Sequence, residues 1–306
     1  MNYTINRKDI KVSVSLLTGD ILLKGTDNAE MSVDFDELRK GTAEEIFDIK
    51  FENNELVITQ KNKKLSQFIN MESFPVSVEV PKDCNVEISL DSLKGDISVS
   101  GLSGLKGKLS SKKGDISVSG IKEIDADISV ISGDISVSGS EGSLSTSAIS
   151  GDTSVSGGNF NALKIRSVSG DVSVSCELDM KEDLSINSVT GDVSVNIVKF
   201  SGAAGITISS VSGDVDISGD KPADDKIRIS QVKGEFAKFN KAFFQDSLKP
   251  MIKNLKDHLR DVTSHGFKSE VHSAKQDNQN ISQILNMVSE GKITAEEAEK
   301  LISALK

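Results

Sequence analysis

Seven Gly-Asp pairs punctuate the middle of this 306-residue chain, at Gly95-Asp96, Gly114-Asp115, Gly133-Asp134, Gly151-Asp152, Gly170-Asp171, Gly191-Asp192 and Gly213-Asp214. A rank of evenly spaced carboxylates is what a calcium-binding repeat would present, so that chemistry is weighed first. Calcium requires about six to eight oxygen ligands, and one carboxylate per unit leaves every site short. Calcium rolls also repeat every nine residues or so, with a Gly-rich ligand loop. The preferred reading is a structural corner. Glycine admits positive φ, and Asp or Ser beside it can hydrogen-bond the local backbone in an Asx or ST turn.

Other candidate chemistry is thinner. His258, His265 and His272 are spaced by seven and would share one face of a continuous helix, but Gly266 and its polar surroundings argue against such a helix. No G-x-S-x-G is present, and no histidine falls within the repeats to activate their serines. Gly101 to Leu109 approaches a phosphate-binding loop but ends Gly107-Lys108-Leu109, with Leu where Ser or Thr would meet magnesium. Cys84 and Cys176 are the only two cysteines and form no C-x-x-C pair, so neither a zinc site nor a disulfide framework is indicated. A carbohydrate-active β-helix enzyme would need long cleft-forming loops, paired carboxylates and aromatic platforms. Only Phe160 and Phe200 supply aromatic rings between residues 75 and 235. These features predict no catalytic residues, no cofactor and no metal.

The elements that carry the Gly-Asp pairs form an internal repeat. Each pair opens a run such as Asp96-Ile97-Ser98-Val99-Ser100, and successive starts are 19, 19, 18, 19, 21 and 22 residues apart. A worn copy follows at Gly234-Glu235, and an early one, Gly19-Asp20, precedes Gly95 by 76 residues, four times nineteen. Apolar and polar residues alternate with a period of two, as in half-buried strands. Segments before each pair, such as Ala126-Asp127-Ile128-Ser129-Val130, are also strand-like. One unit cannot bury its apolar face alone, whereas stacked units can. An antiparallel meander with tight hairpins would share this period, but near-identical units at near-constant spacing favour stacking of like on like. The expected fold is mainly β: a β-solenoid of 19–22-residue repeats over residues 1–235 with a thin aliphatic core, followed by an α-helical tail.

The charge distribution supports a boundary there. Residues 1–235 hold 25 basic and 37 acidic side chains, and residues 236–306 hold 11 and 9. Net negative charge disfavours nucleic acid as a partner. No run approaches the ~18 apolar residues of a membrane span, and the first ten residues lack the apolar stretch of a signal peptide. The expected location is cytoplasmic or peripherally envelope-associated.

Residues 236–262 change to a helical period, placing Phe236, Phe239, Phe243, Phe244, Leu248, Met251, Ile252, Leu255 and Leu259 on one stripe. The stripe could cap the open end of the solenoid. With Lys238, Lys241, Lys249, Lys253, Lys256 and Arg260 beside it, it could instead lie on an anionic membrane. Residues 263–280 read as a linker. Residues 281–306 form two short helices, with Thr294 and Glu297 as a capping box. Ile281, Ile284, Leu285 and Val288 would pack against Ile293, Leu301, Ile302 and Leu305, or on a partner. So small a pair favours self-association or docking as much as self-packing.

The repeats, together with Asn53-Asn54-Glu55-Leu56-Val57-Ile58 and Val78-Glu79-Val80-Pro81-Lys82-Asp83-Cys84, resemble the bacterial DUF4097 family of adhesin-like β-strand repeats. The resemblance spans roughly residues 10–235. It implies a β-helix-like fold, no known catalytic residues and a surface role. The last segment resembles the SHOCT-like helical modules that accompany this family, and proteins with both parts are linked to responses to membrane-active antimicrobials. The resulting expectation is a noncatalytic scaffold that contacts partners or itself through its tail.

Overall fold

A computed structural model describes residues 1–5, 8–35, 43–61 and 73–231. The chain divides into two units, Met1–Gln231 and Val232–Lys306. The segments 236–262, 263–280 and 281–306 lie outside the described residues, as does the copy at Gly234-Glu235. The first unit is a single 20-stranded sheet wound into a β-solenoid.

Its opening strands are β1 (Asn2–Tyr3), β2 (Asp9–Leu16), β3 (Ile21–Thr26) and β4 (Met31–Asp34), then one helical turn α1 (Ala43–Ile46), then β5 (Phe47–Glu52), β6 (Glu55–Gln60) and β7 (Val76–Pro81). The repeats follow as β8 (Asn85–Ser92), β9 (Ile97–Ser100), β10 (Gly104–Lys113), β11 (Ile116–Ser119) and β12 (Glu123–Ser132). Two long strands, β13 (Ile135–Ser150) and β14 (Thr153–Ser169), each run through a bend. The series closes with β15 (Val172–Met180), β16 (Leu184–Thr190), β17 (Val193–Gly202), β18 (Ile206–Ser212), β19 (Val215–Gly219) and β20 (Ile227–Gln231).

Each coil comprises a strand on one face, a Gly-Asp corner and a strand on the other face. Pairing between coils is parallel and in register: Ile97, Ile116 and Ile135 stack, as do Val99, Val118 and Val137. The parallel ladder excludes the meander. Parallel stacking at ~4.8 Å per coil places like side chains above like, and β-branched residues suit such a pleated wall. The inward residues form one continuous aliphatic column, buried throughout from Ile10 to Ile208. Each fully buried Ile or Val contributes about 1.5–3 kcal/mol, and because coils touch only their neighbours these contributions accumulate along the stack. Thr146 and Thr153 interrupt the column: both are buried, and neither hydroxyl has a hydrogen-bond partner.

The 76-residue interval between Gly19 and Gly95 is not four stacked coils. β2 lies between β6 and β8, and β3 between β7 and β9, all in parallel. The Gly19-Asp20 coil therefore sits directly against the Gly95-Asp96 coil, with the Asp96 N–H donating to Asp20 Oδ1 at 2.9 Å. The intervening chain builds the coil on the other side, β6 and β7, and then seals its edge. β5 pairs antiparallel with β6, β4 antiparallel with β7, and β1 with β4. Aromatic rings fill this end: Phe47 is stacked on Phe35 at 4.9 Å and meets Phe74 edge-on at 6.5 Å, and Tyr3 lies 4.6 Å from Phe51. A sheet edge left open would template aggregation, and antiparallel strands end a parallel stack by covering it.

The corner glycines set the coil spacing. Gly133 has φ +145°, and a Cβ there would lie 2.2 Å from the Gly114 carbonyl oxygen. Gly139, at the opposite bend, has φ +54° and nothing within 4 Å of the same position. Gly133→Ala should therefore cost more than about 3 kcal/mol, whereas Gly139→Ala should cost only about 1 kcal/mol of left-handed backbone strain. Urea unfolding midpoints of the two variants decide this; equal losses would mean that close stacking does not dictate the corner residue.

Candidate interaction surface

The aspartates are the polar residues most regularly placed by the fold. At each corner the Asp Oδ1 accepts the backbone N–H of the aspartate one coil further along: Asp115 donates to Asp96, Asp134 to Asp115, Asp152 to Asp134, Asp171 to Asp152, Asp192 to Asp171 and Asp214 to Asp192, each at 2.8 Å. The bonds run between coils and not within a turn, so the expected local Asx turn is replaced by an inter-coil ladder. The physical reason lies in the neighbouring main chain. Gly95 N–H donates to Lys113 O and Ile97 N–H to Asp115 O, both at 2.9 Å. The N–H between them points the opposite way and has no facing carbonyl, so the carboxylate takes it in a charge-assisted bond. The glycine carbonyls are partly served from inside: Ser92 Oγ donates to Gly19 O at 3.2 Å and Ser111 Oγ to Gly95 O at 3.1 Å.

Outward from this ladder, the second face carries two hydroxyl columns. Ser98, Ser117, Ser136, Ser154, Ser173 and Ser194 stack in register, and Ser100, Ser119, Ser138, Ser156 and Ser175 form the next column. The second column continues through Asn196, whose Nδ2 donates to Ser175 Oγ at 3.1 Å. The result is a flat strip of Asp, Ser and Ser repeated coil after coil. Such a strip can accept and donate hydrogen bonds at a fixed spacing, and it contains no histidine.

An open cleft of about 300 Å³ lies at the other bend, lined by Glu141, Gly157, Gly158, Asn159, Cys176, Glu177 and Val198. Register shifts beside Ser156 and Cys176 create it. Glu141, Asn159 and Glu177 stack in successive coils, and Asn159 Oδ1 already accepts the Asp179 N–H at 3.1 Å. Among the residues lining this cleft, burial pushes the Cys176 thiol up to about 12. Cys84 is buried too, and its thiol is raised first by desolvation and then by Asp83. Both cysteines are free.

The fold brings every predicted Gly-Asp corner into one column. It says nothing of Phe236, Phe239, Phe243 and Phe244, nor of Ile281, Ile284, Leu285, Val288, Ile293, Leu301, Ile302 and Leu305, which lie outside the described residues together with the three histidines. Among the described residues no cluster of three or more His, Cys, Asp or Glu side chains is placed to hold a metal, and no helix is long and apolar enough to cross a membrane. Sequence reasoning missed the Asn159–Glu177 cleft, because the register shifts that open it leave only slight changes in repeat length.

This architecture is a parallel β-solenoid with a structural carboxylate ladder. Residues 8–242 match the family described as Toastrack DUF4097, and residues 279–306 match a SHOCT-like domain. The chain belongs to the Toastrack DUF4097 family, and neither description names a catalytic activity. It is similar in structure to a "putative adhesin" from Bacteroides fragilis NCTC 9343 (15% identity, covering 76% of this chain and 95% of that one, TM-score 0.36). A "putative adhesin" from Parabacteroides merdae ATCC 43184 matches comparably (15%, 76% and 95%, TM-score 0.33). So does a "putative lipid binding protein" from Parabacteroides distasonis ATCC 8503 (14%, 76% and 96%, TM-score 0.29). No curated protein matches the chain.

Two outcomes test this description. Asp134→Asn keeps an acceptor for the Asp152 N–H and should leave stability nearly unchanged, whereas Asp134→Ala should lower it by about 1 kcal/mol; matching losses in thermal unfolding would show that charge and not the hydrogen bond is what matters. For Cys176 the sign is set by a folded pKa raised from 9.0 to about 12. Its contribution to stability is fully present below about pH 9 and is lost as pH rises toward about 12, because only the unfolded thiol ionises in that window. A thiol-reactive dye at pH 8 should label neither cysteine in the native chain and both after unfolding; prompt native labelling of Cys176 would contradict its burial.

Proposed function

We propose that this protein is a noncatalytic scaffold whose solenoid is a rigid body and whose C-terminal SHOCT-like segment makes the assembly or partner contacts. One observation carries the reading: the most regular reactive-looking groups, the aspartates, are committed to holding coils together. A carboxylate that accepts a backbone N–H at 2.8 Å at six successive corners is an architectural element, and no histidine adjoins the serines beside it. Function then falls to surfaces. The match of residues 279–306 to a SHOCT-like domain supplies a segment too small to be stable alone, so it gains stability by associating. Ile284, Leu285, Leu301 and Ile302 would form that contact. By family resemblance the setting is a bacterial response to envelope stress, with the protein cytoplasmic or peripheral to the envelope.

A second reading, peripheral attachment to an anionic membrane, is favoured by one sequence feature, the lysines interleaved with the Phe stripe of residues 236–262. The net charge of −10 opposes it for the chain as a whole, so attachment would depend on that segment alone. Light scattering on the full chain and on its Leu285→Glu/Leu301→Glu variant separates the two. The scaffold reading expects an oligomer, or a partner complex, that falls to monomer in the variant. A monomer in both cases that co-floats with anionic vesicles would replace it with the membrane reading.

A further inference from the structure

The repeat has one apolar position that the core does not use. Two residues before the glycine of each Gly-Asp pair from Gly133 onward stands an aliphatic side chain: Ile131, Ile149, Val168, Val189 and Val211. The residue before each of them points inward, as Val130, Ala148 and Ser167 do at 2%, 0% and 2% exposure, so by strand alternation these five point out. None of them belongs to the aliphatic column of the core. Four are partly exposed, and Val189 is 8% exposed. The residues beside them pair in register from coil to coil, Ser132 with Ser150, Ser150 with Ser169, Ser169 with Thr190 and Thr190 with Ser212. The five therefore stack into one straight outward stripe about 20 Å long, at ~4.8 Å per coil. Lys112 holds the same position one coil earlier and ends it.

We infer that this stripe packs against the same stripe of a second copy of the chain, with the two stacks side by side and pointing the same way. Two observations select that occupant. The first is period. A wall of β-branched side chains repeating every ~4.8 Å interdigitates along its whole length only with another β-wall of the same repeat, whereas a helix repeats every ~5.4 Å and would drift by about 2 Å over the stripe. The second is charge. Arg166 precedes Val168 by two residues on the same outward face, in a column otherwise made of Ser129, Ser147, Asn187 and Ser209. Among the described residues its Nε has no hydrogen-bond partner, and it enters none of the salt bridges. The aspartate ladder runs along the other side of the stripe. A two-fold axis parallel to the stack lays the Arg166 side of each copy over the ladder side of the other; an axis across the stack would set Arg166 on Arg166 and ladder on ladder. Five partly exposed side chains fall short of the roughly 800 Å² per partner that a standing dimer needs. The contact therefore forms where the C-terminal segment has already brought copies together and raised their effective concentration, so the inference rests on the self-assembly proposed above.

The test is disulfide cross-linking of the full chain under a mild oxidant, read beside light scattering. Both native cysteines are buried, so an introduced surface thiol reacts alone. Ile149→Cys, off the centre of the stripe, should give a covalent dimer with itself, and Ser136→Cys, on the other face, should not. Adding Arg166→Asp to Ile149→Cys should slow the cross-link about tenfold, while adding Arg166→Lys should leave it nearly unchanged. In the Leu285→Glu/Leu301→Glu background the cross-link should fall to the Ser136→Cys level. An oligomeric native chain whose Ile149→Cys variant cross-links no better than Ser136→Cys overturns the inference and leaves the assembly reading standing. Cross-linking of Ile149→Cys only in a mixture with Val189→Cys would mean that the stacks run in opposite directions, which equally overturns it. A native chain that is monomeric in light scattering removes this contact together with self-assembly.

Discussion

The constraint repeated in coil after coil is the close approach of each corner glycine to the carbonyl of the glycine a coil away. At Gly95, Gly114, Gly133, Gly151, Gly170, Gly191 and Gly213 a Cβ would lie 2.1–2.2 Å from that oxygen. Every one of these glycines also has φ between +119° and +146°. Both conditions exclude any side chain: the first by direct overlap, the second by the sterics of L-residues. Coils can therefore approach to sheet spacing at their corners as well as along their strands, and the wall of the solenoid stays continuous through the bend.

The aspartate ladder follows from that approach. With the corners in register, the main-chain amide after each glycine faces the preceding coil where no carbonyl meets it, and an unpaired amide is costly. A short side chain carrying an acceptor spans the gap; Asp does so with one fewer rotatable bond to immobilise than Glu. Stacking carboxylates one coil apart sets like charges side by side, and the bond that each makes to a backbone N–H offsets this repulsion. The strip of serines beside the ladder has a simpler cause. A short, uncharged, hydrogen-bonding residue can stack on itself without crowding, which longer or charged side chains cannot do at this spacing.

Much of this was legible in the sequence, because the repeat imposes one local rule many times over. Gly-Asp-Ile-Ser-Val-Ser reports the corner, the inward pair and the outward pair at once, and near-identical copies imply parallel stacking. What failed to read through were features that break the repeat. The 76-residue gap after Gly19 looks like a multiple of the period, yet it contains β4 to β7, with Phe47 of β5 and Phe74 just before β7 packed together at that edge; no periodic signal encodes an antiparallel cap. The direction of the Asp hydrogen bonds was also hidden, since a local turn and an inter-coil bond need the same residue. The cleft beside Glu141 and Glu177 arises from register shifts that alter the spacing by only a residue or two.

A stack of equivalent coils has no preferred place to act along its length, so whatever distinguishes one position from another must come from a departure from equivalence. Three departures are visible. The sealed end consumes its aromatics in packing. The widened coils near Cys176 form a cleft whose thiol burial holds protonated. The coil of β19 and β20 holds half-covered aliphatic residues and, among the described residues, pairs on one side only. The first two are closed by packing and burial, whereas the last, among the described residues, leaves Ile229 exposed beside the half-buried Val215, Ile217 and Ile227. Within the described residues, the physical asymmetry of the solenoid therefore lies toward β19 and β20.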